Sequence, residues 1–117
     1  MNLNNLKDLI EISKAIDGEP SPSGALGRKV IVRSRDAGVI YGEYAGNDGS
    51  TIRIKNGVQM WKWFAAKGIS LIDVATYGVK KSDCKFSVAT ADVTVFNACA
   101  MIDVTDEAAA SIEEVLK

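Results

Sequence analysis

The segment Asn47-Asp48-Gly49-Ser50 constrains this chain most, because it separates two runs of alternating polarity. Asp-Gly is a strong signal for a tight hairpin turn, since glycine adopts the positive backbone angles that such turns need. Before it, Val39, Tyr41, Glu43 and Ala45 alternate with Ile40, Gly42 and Tyr44. After it, Thr51-Ile52-Arg53-Ile54-Lys55 keeps the two-residue period. That period marks strands with one face buried, so an antiparallel hairpin is expected here. Upstream, Val30-Ile31-Val32 reads as a short buried strand. Downstream, Asn56-Gly57 reads as a second tight turn leading into a strand over Val58–Phe64. In that strand Trp61 and Trp63 are expected on one face, and Met60, Lys62 and Phe64 on the other.

Helical periodicity appears in three places. Leu3, Leu6, Leu9, Ile10, Ile12 and Ile16 recur at three- and four-residue spacing, with Gly18 placed to end the helix. Ser70-Leu71-Ile72-Asp73 resembles a capping box ahead of a short helix to about Tyr77, which Gly78 can close. Thr105 can cap a last helix whose apolar face is Ala108, Ala109, Ile112, Val115 and Leu116. Residues 92–104 read as one more strand. The fold expected is α+β: a small antiparallel sheet with an N-terminal helix, a short middle helix and a C-terminal helix. Residues 1–17 form the helix or arm. Residues 18–27, with Pro20, Pro22, Gly24 and Gly27, form a linker. Residues 28–117 form one compact domain, and 47% hydrophobic residues suffice for its core.

The absences narrow the function. The chain has no histidine, which removes imidazole acid–base chemistry and Ser-His or Cys-His nucleophiles. Two cysteines, Cys84 and Cys99, are too few for a four-ligand zinc site. Without an export signal they are expected reduced. There is no Lys-Ser/Thr phosphate loop and no nucleophile beside a base, so no enzyme activity, metal or cofactor is expected. No apolar run is long enough for a membrane helix, and a cytoplasmic protein is expected.

Charge is unevenly spread. Residues 28–85 hold eleven basic and five acidic side chains, against net charges of −2 before them and −5 after them. A basic centre between acidic ends points to an anionic ligand at a local site rather than to sequence-specific nucleic-acid binding. Surface charges that pair in the fold are the plain alternative. Arg33 and Arg35 would point the same way on an extended segment and grip a phosphate or carboxylate. Asp36 would orient one of them; a hairpin turn with exposed arginines is the other reading. Trp61 and Trp63 would stack on a planar base with Lys62 or Arg53 nearby, or else fill the core or a subunit interface. Lys80, Lys81 and Lys85 make a basic loop, either solvated or facing a phosphate.

These segments resemble a family of small phage and prophage proteins that carry a domain of unknown function. Arg33, Ala37, Gly38, Val39, Gly42, Trp61, Trp63, Ala66, Ser70-Leu71 and Thr105-Asp106-Glu107-Ala108 match its pattern over about residues 28–117. Ile40 stands where the family has His, and Val58-Gln59 where it has two arginines. The resemblance implies a phage or prophage accessory protein and supplies no activity. The expectation is a non-enzymatic, homo-oligomeric binding protein that sequesters a small anionic ligand, such as a nucleotide signal of host defence. A virion or assembly component, or an inhibitor docking on a host protein, are the alternatives.

Overall fold

The structure is a computed structural model that describes residues 26–116. Six strands form an antiparallel sheet: β1 (Lys29–Ser34), β2 (Gly38–Asp48), β3 (Thr51–Lys62), β4 (Lys85–Phe86), β5 (Thr90–Val95) and β6 (Ala98–Asp103). Two helices, α1 (Leu71–Tyr77) and α2 (Asp106–Val115), both follow the three long strands. This corrects the expected α+β fold with three helices: the architecture is mainly a six-stranded sheet. The helix expected over residues 3–16, and all but the end of the linker, lie outside the described residues.

The sheet order explains the shape. β3 pairs with β2 on one edge and with β5 on the other, β2 pairs with β1, and β1 pairs with β6. A flat sheet would set β5 and β6 four strand spacings apart, about 19 Å. Val95 and Ala98 are separated by three Cα steps, a reach of about 11 Å at most. The sheet must therefore curl towards a barrel. Inside the curl lie Val30, Val32, Ile40, Tyr44, Ile52, Ile54 and Val95. On its outer face Ile31, Tyr41 and Met60 pack with Leu71 and Val74 of α1 and Ala109 and Ile112 of α2. Both faces of β1 are thus covered, which is why Val30, Ile31 and Val32 are consecutive apolar residues and all fully buried.

Glycines allow the curl to tighten. A Cβ on Gly42 would sit 2.4 Å from Ile54 Cγ2 and 2.8 Å from the Lys55 carbonyl oxygen. One on Gly57 would meet Val93 Cγ2 at 2.6 Å. Asn56-Gly57 is therefore not the turn expected from its sequence. Asn56 takes a positive φ of 55° inside a continuous β3, beside the close crossing at Gly57. The single strand expected over 92–104 is likewise two strands, broken at Asn97 with φ 53°.

The hairpin at Asp48-Gly49, the capping box and the last helix stand where the sequence places them. Ser70 Oγ accepts from the Asp73 amide at 3.2 Å, and Asp73 Oδ2 accepts from the Ser70 amide at 3.0 Å. Asp73 Oδ2 also accepts from the Ser70 hydroxyl and the Ile69 amide, each at 3.0 Å, and the three bonds to it hold the Asp73 carboxyl below its usual range. Gly78 ends α1, and Thr105 caps α2 by accepting from the Ala108 amide at 3.1 Å.

Candidate functional site

A bulge near the end of β3 builds the most distinctive surface. Met60 lies opposite Phe86 of β4 and Lys62 lies opposite Lys85, so two residues of β3 advance while one of β4 does. Trp61 and Lys62 together oppose Lys85, and side-chain alternation is broken at that point. Met60 is buried, Trp61 and Lys62 are both exposed, and Trp63 turns inward to pack on the core. The expectation that Trp61 and Trp63 share a face does not hold. Trp61, 75% exposed, is left with its ring in solvent.

Lysines occupy the neighbouring positions of this edge. Lys62 and Lys85 face each other directly across the β3–β4 pair. Lys62 Nζ stands 5.7 Å from the centre of the half-exposed Phe64 ring. The Lys80 amide donates to the Phe64 carbonyl at 3.0 Å, which draws the basic loop against the same edge. Neither Lys62, Lys80 nor Lys85 has an ion pair among the described residues. Like charges placed directly opposite on a sheet cost roughly 0.2–1 kcal/mol. Asp83, exposed in the 3-10 turn Lys81–Asp83, is the acidic group nearest in sequence, and Lys81 is drawn off to Glu114 at 3.9 Å. The alternation expected along β3 places Phe64 on the face of Lys62, whereas the approach of the Lys80 loop to this edge comes only through folding.

The other expected site residues lie elsewhere. Arg33 is exposed on β1 between Val39 and Ala100. β1 ends at Ser34, so the alternation that would align Arg33 with Arg35 stops there. Arg35 and Asp36 are exposed in the β1–β2 turn. That turn is held by the Ala37 amide donating to Ser34 Oγ at 3.2 Å and Ser34 Oγ donating to the Phe96 carbonyl at 3.2 Å. Gln59 Nε2 donates to the Ala37 carbonyl at 3.2 Å and ties the same turn to β3. Arg53 stands opposite Thr94, beside a cleft of about 340 Å³ with Asn47, Asp48 and Thr51. It does not join the lysine cluster.

Residues 27–112 match the family described as Domain of unknown function (DUF6948). The chain belongs to the DUF6948 family. The match runs from the residue before Arg28 into α2 and so takes in all six strands and the bulged end of β3. No curated protein and no solved structure matches the chain.

A second cleft, of about 250 Å³, shows how this DUF6948 domain treats charges that it uses for packing. Glu113 Oε2 on α2 accepts from both Tyr41 Oη and Lys29 Nζ at 2.5 Å. Burial, with the Glu113 hydrogen bond and charge, raises the Tyr41 phenol far above its usual range. Lys29 Nζ also lies 5.9 Å from the centre of the Tyr41 ring. The cysteines are free: Cys84 packs against the core with Sγ 3.2 Å from the Lys80 carbonyl, and Cys99 is exposed. Among the described residues no group of His, Cys, Asp and Glu is arranged to hold a metal, and no helix is long and apolar enough to cross a membrane.

Proposed function

We propose that this DUF6948 domain is a non-enzymatic binding protein for a small anion with a planar ring, held at the bulged end of β3. The observation that carries this reading is the bulge itself. It sets exposed Trp61 and Lys62 opposite Lys85 in register, with no acid paired to either lysine among the described residues. An anion between Lys62 and Lys85 relieves their repulsion, and stacking on Trp61 adds about 1–3 kcal/mol per base. Lys80 extends the cationic side, and Phe64 offers a second ring. Nucleotides combine those two chemistries. The phage or prophage setting implied by the sequence resemblance suits sequestration of a nucleotide signal of host defence, which requires no catalytic group.

Calorimetric titration with linear and cyclic nucleotides tests the reading. Binding by at least one, weakened about tenfold or more (~1.4 kcal/mol) in K62E or K85E, is the expected result. Folded protein that stays silent across the panel contradicts it.

A subunit-contact role in a virion or assembly is the second reading. It is favoured by Ile69 and Ile72, which are exposed at the start of α1. Mass spectrometry of purified particles separates the two, since a sequestering protein is absent from them.

A further inference from the structure

The edge of the sheet changes character along its length. At β4 it carries Lys85, and lysine is a usual guard against edge-to-edge pairing. At β5 it carries Thr90-Ala91-Asp92-Val93-Thr94-Val95, without lysine, arginine or proline. β5 pairs with β3 along one side, from Gly57↔Thr90 to Ile52↔Val95. Among the described residues nothing pairs with its other side. Its one charge, Asp92, is paired with Lys55 at 3.6 Å. Val88, 84% exposed, precedes the strand, and Phe96, 66% exposed, follows it.

We infer that β5 pairs antiparallel with β5 of a second copy of this chain, joining two sheets about a two-fold axis through Val93. The register follows from geometry and charge. Backbone groups point to alternate sides along a strand, so directly opposed residues in an antiparallel pair must point alike. A two-fold pairing therefore sets one residue opposite its own copy. Centring on Asp92 would oppose two carboxylates, which is destabilising. Centring on Val93 opposes two β-branched side chains, faces Asp92 with Thr94 of the copy, and faces Ala91 with Val95. The strand is thus complementary to itself, and the arrangement is isologous and closed. It leaves the Trp61–Lys62–Lys85 surface outside the central pairing and stands apart from the ligand proposal.

The test measures the mass in solution of the full chain and of T94D. In the monomer Thr94 lies opposite Arg53, so the introduced carboxylate has a cation beside it and the fold is retained, as circular dichroism will show. In the dimer that carboxylate faces Asp92 of the copy. The expected result is a wild-type dimer and about a twofold lower mass for T94D, with the dimer regained in D92N/T94D. In a C99S background, V93C should crosslink to itself under mild oxidation, because directly opposed Cα atoms at about 4.5–5.5 Å fall within disulfide range. A monomeric wild type overturns the inference, and this includes the case in which residues of the chain's own N-terminus cover β5. So does a dimer that T94D leaves intact and V93C does not crosslink.

Discussion

Two clusters in this domain are built from the same ingredients, an aromatic ring and lysine, and differ in one respect. At the α2–sheet cleft, Tyr41 and Lys29 converge on Glu113, so ring, cation and acid satisfy one another. At the bulged end of β3, Trp61 and Lys62 stand opposite Lys85, and neither lysine has an ion pair among the described residues. The first cluster fastens a helix to a sheet. The second leaves charge and a flat apolar surface facing outward, at a small cost in stability. The contrast lies in pairing: residue types do not distinguish the two clusters, but whether their charges are paired does.

The largest expected effect lies in the frame that both clusters share. Gly42→Ala drives a methyl group into Ile54 and the Lys55 carbonyl, where β3 bulges against β2. Overpacking of this kind costs typically about 1–3 kcal/mol, and contact with backbone puts this case at the upper end. A fall in the urea midpoint at unchanged m-value checks it.

At the satisfied cluster, Glu113→Gln should cost about 1 kcal/mol. The charge-assisted bonds it weakens are worth about 1.5–3 kcal/mol when well buried, and the Glu113 carboxyl is partly exposed. Chemical denaturation should show that loss, and nucleotide binding should be untouched. Lys62→Ala should do the reverse, lowering affinity while leaving the midpoint equal or slightly raised as the facing charge is removed. A variant at either cluster that shifts both readouts equally would erase the distinction.

The pH dependence sharpens it further. The Tyr41 phenol is raised in the folded state, so the native protein binds more protons than the unfolded chain once free tyrosine ionises, near pH 10. The resulting stability is full below that pH and falls as pH rises above it. The slope should shrink in Tyr41→Phe. An unchanged slope would mean that the Tyr41 phenol is not raised in the folded protein, by burial or by Glu113. The smallest effect is expected at Arg33→Ala, which should change neither affinity nor midpoint beyond about 0.5 kcal/mol, since its side chain is exposed and unpaired among the described residues.

Much of the fold is legible in the sequence because its signals are local. Asp48-Gly49, Ser70 with Asp73, Gly78 and Thr105 each act over three or four residues, through turns and caps whose chemistry is self-contained. What was misread depends on a partner strand. Asn56-Gly57 has the composition of a turn, but Asn56 sits in the left-handed region within β3, where the strand bulges against β2 between Lys55 and Val58. Asn97 looks like a strand interior until Ser34 and Phe96 fix the crossing from β5 to β6. The Trp61–Trp63 pair obeys alternation only in a regular strand, and the bulge exists only opposite β4. For the same reason Lys85, anticipated as a loop charge, becomes the direct partner of Lys62.

Native mass spectrometry of wild type and K62E/K85E, each with the nucleotide panel added, tests the central claim most directly. Wild type is expected to carry a bound nucleotide that the folded double variant lacks. Equal loading of the two proteins, or none on either, would contradict it.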